Sequence, residues 1–194
     1  RLGEGGMGAV WRARDTQLGV ERAVKLLQPT AHGRASQRRR LKAEARAMAR
    51  IQHPNVLRIL DLGADGEQDW VVTELAPGGS LQDRVDREGP LPPFDALELM
   101  IQVISALGAA HAAGVVHRDV KPANVLIDHE GRALLADFGI ALLADDAEMD
   151  RRTRVGIAMG SMAFMPPEQR VDARSVGPAA DLYAAGATLY HLLS

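Results

Sequence analysis

The chain has 194 residues, of which 46% are hydrophobic and 25% are charged, and this balance excludes a disordered or collagen-like chain. The absence of cysteine excludes disulfides and thiolate metal sites, and it is typical of a reducing compartment. No uninterrupted run of about 18 apolar residues is present, so we expect no membrane span and no membrane contact within this chain.

Charge is unevenly distributed, although the net charge is only −2. The first 60 residues contain 13 Lys and Arg against 4 Asp and Glu, whereas the remaining residues contain 10 against 21. A basic stretch can bind nucleic acid, but residues 34–50, which hold most of these basic side chains, include no aromatic residue to stack on bases. This pattern favours a solvated helix, and we expect no nucleic-acid partner.

The first part of the chain is predicted to consist of strands and one helix. Short β-like runs at residues 10–14 and 22–27 flank a polar turn. Apolar residues recur at helical spacing over residues 37–51. Two further strands are predicted at residues 56–62 and 70–75, joined by a loop that contains Gly63.

The second part is predicted to be mainly helical. Residues 76–80 read APGGS, and because proline and glycine break both helices and strands, this segment predicts a linker. Residues 95–113 form a long apolar helical pattern, and Pro178 suits the first turn of a last helix. Apolar runs at residues 125–127 and 134–136 predict a hairpin. We therefore expect an α+β chain with its strands concentrated before residue 76.

A glycine-rich motif lies at the start of the chain. Residues 3–10 read GEGGMGAV and match G-x-G-x-x-G-x-V, in which glycine lets the backbone approach phosphate oxygens closely. Dinucleotide-binding folds share this spacing, but they need a helix directly after the glycines. Here residues 10–14 read as a strand, so the motif favours a hairpin over a nucleotide. A plain glycine-rich turn is the alternative.

The most informative stretch is residues 117–124, which read HRDVKPAN. Six of the eight positions match H-R-D-x-K-P-x-N, and a D-F-G sequence begins at Asp137, 13 residues after Asn124. At these residues the chain resembles the catalytic domain of protein kinases. The Lys121-Pro122 pair resembles the Ser/Thr-specific class, and the Ala- and Arg-rich sequence resembles the eukaryotic-like Ser/Thr kinases of bacteria.

This resemblance covers nearly all of the chain and implies a bilobal fold. It implies a β-rich, nucleotide-binding N-lobe with one regulatory helix over residues 1–75, and a mainly helical C-lobe over residues 76–194. Because the chain begins at Arg1 and ends at Ser194 within an apolar helix, we expect a fragment of a longer domain, incomplete at both ends. The resemblance implies a cytoplasmic location, either alone or as the cytoplasmic part of a larger membrane-anchored protein.

The resemblance also implies roles for individual residues in ATP-dependent phosphoryl transfer. Asp119 would be the catalytic base, and Lys121 would bring positive charge to the γ-phosphate. Asn124 and Asp137 would supply the hard oxygen ligands that Mg²⁺ prefers.

Nucleotide binding is implied for a second set of residues. Lys25 would hold the α- and β-phosphates and would pair with Glu44, the only acidic residue in 37–51. Thr73 lies at the family's gatekeeper position. The remaining residues implied to contact ATP are Leu2, Gly3, Gly5, Gly6, Gly8, Val10, Ala23, Glu74, Ala76 and Leu126. For the apolar members of this set, core packing is the alternative.

His117 is expected to serve structure rather than act as a base. In protein kinases the equivalent histidine stacks with the D-F-G phenylalanine in a column of apolar side chains. The matching residues here are Met48, Ile59 and Phe138, and Asp181 would anchor the column from the last helix.

Regulation is expected in the polar segment 140–163. Thr153 is the hypothesised phosphosite, and Arg118 would pair with its phosphate, with Arg40 as a second candidate partner. A solvated basic loop around Thr153 is the alternative. Residues 160–168 resemble G-T-x-x-Y-x-A-P-E but carry Ser, Phe and Pro in place of the Thr, Tyr and Ala.

The leading prediction is an enzyme that transfers the ATP γ-phosphate to Ser/Thr hydroxyls of protein substrates. A small-molecule phosphotransferase of kinase-like fold is a second reading, although such enzymes usually resemble H-G-D, so Arg118 and residues 160–168 discriminate against it. A third reading is an inactive binding fragment.

Overall fold

A computed structural model describes residues 1–5, 8–27, 45, 48, 50–66, 68–138, 161–172 and 176–194. Four residues with predicted roles, Gly6, Arg40, Glu44 and Thr153, lie outside these ranges. Of the predicted helix at residues 37–51, the described residues Ala45 and Met48 are helical and buried, whereas Arg50 lies in a turn and Ile51 is outside any helix.

The first described unit is an antiparallel sheet of five strands. Its strand order is β1-β2-β3-β5-β4. The strands are β1 Gly3–Gly5, β2 Gly8–Arg14, β3 Glu21–Leu27, β4 Ile59–Asp65 and β5 Gln68–Glu74.

The register of this sheet places three of the predicted nucleotide-binding residues, Val10, Ala23 and Lys25, on one face with the gatekeeper position Thr73. Val10 pairs with Lys25, which pairs with Val71 on its other side, and Ala23 pairs with Thr73. Because directly opposed residues in antiparallel strands project to the same face, these five side chains line one surface of the sheet.

The predicted strand at residues 56–62 is wrong in its bounds. β4 begins at Ile59, and Val56 instead forms an isolated parallel bridge with Leu135. Gly63 lies within β4 and not in a loop, where the Trp70 ring covers it so closely that a Cβ would lie 2.4 Å from a ring carbon. Periodicity missed this shift because the strand is set by its partner β5 and by a register irregularity between Ile59 and Asp61.

Among the described residues after the sheet there are four helices and a small second sheet. Two single 3₁₀ turns, Pro122–Asn124 and Ser161–Ala163, accompany them. The helices are α1 Leu81–Glu88, α2 Pro93–Ala112, α3 Pro167–Val171 and α4 Pro178–Leu193, and the two-stranded antiparallel sheet pairs β6 Val125–Ile127 with β7 Ala133–Leu135. The predicted division at residues 75 and 76 falls between β5 and α1.

Helix α1 begins at the end of the predicted linker. Ser80 is its N-cap, since the Ser80 hydroxyl accepts from the Asp83 N–H at 3.1 Å and the Asp83 carboxylate accepts from the Ser80 N–H at 2.8 Å. This capping box satisfies two backbone donors that the first turn leaves without partners.

The core lies between α2, α4 and the second sheet. Apolar residues of α2 that recur three or four positions apart are buried there: Ala96, Leu99, Met100, Val103, Ala106, Leu107 and Ala110. By length and composition alone α2 could cross a membrane, with a mean hydropathy of 1.3 over 18 residues. A core helix passes the same test, and this buried stripe is what a core helix requires.

A short connection ties the five-stranded sheet to the helical part. His53 Nε2 lies 3.0 Å from the Ser105 hydroxyl on α2. The buried Asn55 donates from Nδ2 to the Ala133 carbonyl at 2.8 Å and to Gln102 Oε1 at 3.0 Å. These bonds attach the segment that precedes β4 to α2 and β7.

Candidate active site

The loop 117–121 is held from below by one buried carboxylate. Asp181 lies in the first turn of α4 and is fully buried. It accepts hydrogen bonds from the His117 N–H at 2.8 Å, the Arg118 N–H at 2.7 Å and His111 Nε2 at 2.7 Å. A carboxylate at this end of a helix is also favoured by the helix dipole. The backbone ahead of Asp119 is therefore fixed on a rigid element.

His117 has both ring nitrogens committed. Its Nε2 lies 2.9 Å from the Ala136 carbonyl, which can only accept, so the proton belongs on Nε2. Its Nδ1 then accepts from the Asp119 N–H at 3.2 Å. Complete burial lowers the pKa of His117, because a charged imidazolium would lose its hydration. The neutral ring stacks at 4.5 Å on Phe138.

Three side chains with predicted roles converge at Asp119. Lys121 Nζ donates to the two Asp119 carboxylate oxygens at 2.8 and 3.0 Å. Asn124 Nδ2 donates to Asp119 Oδ2 at 2.9 Å and to the Asp119 carbonyl at 2.7 Å. Lys121 and Asn124 therefore orient the Asp119 side chain. This side chain is 27% exposed, so it is still accessible to a ligand.

A second cluster bridges the sheet and the helical part. Lys25 on β3 donates from Nζ to Asp137 Oδ1 at 2.7 Å across 112 residues of sequence. The lysine side chain is 13% exposed and that of Asp137 is 38% exposed, so the pair is partly accessible to solvent. The expected pairing of Lys25 with Glu44 falls outside the described residues.

The two clusters are neighbours because Ala136 joins them. The Ala136 N–H donates to the Asn124 carbonyl at 2.9 Å, and its carbonyl accepts from His117. The next residue, Asp137, has a positive φ of 55°, a conformation uncommon outside glycine and frequent at functional sites. Asp119, Asn124, Asp137 and Lys25 are therefore brought to one site.

The residues predicted to surround the adenine flank the same site. Leu126 and Ala76 pack against a small apolar cluster of Leu57, Leu134 and Ala136. The Glu74 carboxylate is turned away to Arg58, where it accepts from the backbone N–H at 2.8 Å. The carboxylate of Glu74 is therefore engaged within the protein, and its contact with a nucleotide stays a prediction.

Gly8 shows why the glycine motif is needed at its third glycine. Its φ is 136°, and a Cβ there would lie 1.8 Å from the Leu26 carbonyl oxygen on β3. Gly3, by contrast, has no atom within 4 Å of such a Cβ. Of Gly3 and Gly8, only Gly8 is thus required by backbone contact.

The oxygen donors at the site fit a magnesium ion. Asn124 uses Nδ2 for bonds to two acceptors, which leaves its Oδ1 available as a hard oxygen ligand, and Asp137 supplies a carboxylate. No group of three or more Asp, Glu, His or Cys side chains suited to a metal occurs among the described residues. One carboxylate and one amide suit Mg²⁺, which keeps water and phosphate oxygens as its other ligands.

Arg118 has a buried side-chain nitrogen whose partner is not among the described residues. Its Nε is buried and has no hydrogen-bond partner within the described ranges. Its predicted partner, phosphorylated Thr153, lies outside them, so that pairing stays a prediction. Gln169 was missed by sequence reasoning, although its Nε2 donates to the Arg118 carbonyl at 2.7 Å.

Comparison with known proteins agrees with this arrangement. The chain is 40% identical over 196 residues to serine/threonine-protein kinase pkn2 of Myxococcus xanthus, and 36% identical over 194 residues to serine/threonine-protein kinase PknL of Mycobacterium tuberculosis. It spans 23% of the first relative and 48% of the second. The crystal structure of the PknI kinase domain of Mycobacterium tuberculosis superposes with a TM-score of 0.75 at 31% identity, covering 99% of this chain and 70% of that one.

The protein kinase domain family matches residues 1–194. The match therefore includes the five-stranded sheet, the Asp119 loop and the α4 helix that supports it. The chain belongs to the protein kinase domain family and has its bilobal fold.

Proposed function

We propose that this domain transfers the γ-phosphate of ATP to serine and threonine hydroxyls of protein substrates. The observation that carries the proposal is the position of the Asp119 carboxylate, held by Lys121 and Asn124 and adjacent to the Lys25–Asp137 pair. A carboxylate that is oriented by cations and amides and remains partly exposed is suited to accept a proton from an incoming alcohol.

In the proposed reaction the substrate hydroxyl gives its proton to Asp119. The hydroxyl oxygen forms a bond to the γ-phosphorus, while the bond from that phosphorus to the bridging oxygen breaks. ADP leaves with the electron pair of the broken bond. Lys121 sits 2.8 Å from the carboxylate, where its charge balances both Asp119 and a phosphoryl group that approaches it.

Lys25 would hold the α- and β-phosphates from the sheet, because its Nζ already reaches the Asp137 carboxylate. Asn124 and Asp137 would hold Mg²⁺. When bound, this ion neutralises phosphate charge and stabilises the developing charge of the transferring group. The side chains would then contribute by positioning the reacting groups and by complementing their charge.

Protein Ser/Thr substrates are favoured over the alternatives by two features. The loop carries Lys121-Pro122, which resembles the Ser/Thr-specific class. Arg118 occupies the position at which kinase-like small-molecule phosphotransferases usually have the glycine of H-G-D. The relatives pkn2 and PknL are named serine/threonine-protein kinases of bacteria. We accordingly propose protein substrates, no nucleic-acid or membrane partner for this domain, and a cytoplasmic location.

The test is phosphoryl transfer by the purified chain. Radiolabelled ATP with Mg²⁺ is supplied with a mixture of casein and myelin basic protein, and phosphoamino acids are identified after hydrolysis. We expect phosphoserine and phosphothreonine. Asp119→Asn should lower kcat by about 10²–10⁴-fold, the usual contribution of a general base, and should leave the ATP-induced rise in Tm intact.

Asp86→Asn is the matched control, because Asp86 is an exposed carboxylate on α1 that accepts a hydrogen bond from Gln82 on the same helix. Its kcat should equal that of the unmodified chain. A loss of less than about tenfold for Asp119→Asn, relative to the general-base range, would contradict the role of Asp119. Label found only in phosphotyrosine or in small molecules would contradict the proposed substrate class.

A further inference from the structure

Gln169 makes a buried contact that no role described above explains. It lies in the short helix α3 and is only 4% exposed. Its Nε2 donates to the carbonyl oxygen of Arg118 at 2.7 Å, joining segments 51 residues apart. Since the acceptor is a backbone carbonyl, the amide must present its nitrogen to it, and the side-chain orientation is fixed by chemistry.

The carbonyl that Gln169 holds belongs to a strained residue. Arg118 has a φ of 66°, a left-handed conformation that side-chain-bearing residues adopt only when the surroundings enforce it. On its N-terminal side, the Arg118 N–H donates to Asp181 at 2.7 Å. On its C-terminal side, the carbonyl is held by Gln169. Arg118 is thus clamped at both ends by side chains from two different helices.

The peptide that follows Arg118 leads directly to Asp119. Its carbonyl is bonded to Gln169, and its N–H is bonded to His117 Nδ1 at 3.2 Å. With both polar groups of this peptide engaged, the plane that carries the Asp119 Cα cannot rotate freely. The direction in which the Asp119 side chain leaves the backbone therefore depends on the Gln169 contact.

The chemistry of this position favours a neutral donor. A glutamate would set a carboxylate against the Arg118 carbonyl, acceptor against acceptor. A methionine would fill the same space and leave the carbonyl without its bond. A buried amide is the side chain that both fills the space and donates.

We infer that Gln169 is a positioning residue for phosphoryl transfer, which fixes the peptide between Arg118 and Asp119 and links α3 to the proposed catalytic base. The inference rests on the proposed function. It assigns Gln169 no contact with the nucleotide, since its described bond is to the loop that carries Asp119.

The test compares Gln169→Met and Gln169→Glu with Val171→Ala in the full chain. Val171 lies on the same helix and is 89% exposed, so it is the matched control. We expect kcat to fall by about tenfold to a hundredfold in both Gln169 variants, as for other small displacements of catalytic groups. The KM for ATP should stay within about twofold of the unmodified chain, because a positioning contact affects kcat and not nucleotide binding.

The outcomes separate the inference from the proposed function. If the unmodified chain transfers phosphate and both Gln169 variants keep kcat within about twofold, the inference is overturned and the function stands. Equal losses in kcat and in ATP affinity would indicate general loosening of the fold and would also overturn it. If Gln169→Met unfolds at the assay temperature, Gln169→Glu, which keeps the side-chain volume, decides the question. An inactive unmodified chain would instead contradict the proposed function.

Discussion

Asp181 is the residue whose replacement should most clearly show how the Asp119 loop is supported. In Asp181→Asn the side chain keeps its shape but loses its charge and gains an NH₂ group. The amide oxygen can take the place of Oδ2, which accepts from the His117 N–H and from His111. The NH₂ group must then take the place of Oδ1 and face the Arg118 N–H, donor against donor.

The magnitude follows from these contacts. One charge-assisted hydrogen bond, worth about 1.5–3 kcal/mol, is lost, and the other two fall to the strength of neutral bonds. Asp181 itself is fully buried, which disfavours a substitute bond from its side chain to water. We therefore expect the free energy of unfolding to fall by about 3 kcal/mol. For a chain of this length, that corresponds to a fall in Tm of about 6–12 °C.

The assay is thermal unfolding followed by circular dichroism, with Asp86→Asn as the exposed control. The control should lie within about 0.5 kcal/mol of the unmodified chain, as for most surface substitutions. A Tm for Asp181→Asn within about 2 °C of the unmodified chain, equivalent to less than about 1 kcal/mol, would refute the view that this carboxylate holds the loop.

Two further predictions concern the pH dependence and the glycine motif. Burial lowers the pKa of His117, so below about pH 6.5 the unfolded chain takes up a proton that the folded chain does not. The free energy of unfolding should therefore decrease as the pH is lowered, by up to about 1.4 kcal/mol per pH unit. Urea unfolding at pH 7, 6 and 5 should show that His117→Asn loses less stability with falling pH than the unmodified chain does. An equal pH dependence of the two proteins would rule this out. Gly8→Ala should lower Tm by about 4 °C or more, since overpacking and backbone strain each cost about 1–3 kcal/mol. Gly3→Ala should leave Tm within about 1 °C of the unmodified chain, because the added Cβ meets no atom within 4 Å. Similar Tm values for the two variants would contradict the contact with Leu26.

Local pattern was sufficient where the interactions are local. The apolar periodicity of residues 95–113 predicted α2 to within two residues at its start and one at its end. Pro178, predicted for the first turn of a last helix, is the first residue of α4. The runs at residues 125–127 and 134–136 correspond to β6 and, with a shift of one residue, to β7. Helix α1 was overlooked, although the Ser80 and Asp83 spacing of its capping box is visible in the sequence.

Long-range contacts account for what the pattern could not supply. β4 is displaced by three residues from its prediction, because pairing with β5 and the cover of Trp70 over Gly63 decide its position. Gln169 carries no motif signal toward Arg118, since nothing in a run of amino acids states which backbone carbonyl lies 2.7 Å from a side chain 51 residues away.

By itself the sequence determined the kinds of chemistry available: a phosphate-binding glycine loop, a carboxylate with a lysine and an amide close by in the chain, and helices of defined polarity. Those features depend on spacing over a few residues, where backbone geometry is nearly fixed. The tertiary structure decided that Lys25 meets Asp137 and that Asp181 and Gln169 clamp Arg118. Such contacts arise only when segments far apart in sequence are packed together, because burial of the core around α2 and α4 sets their distances.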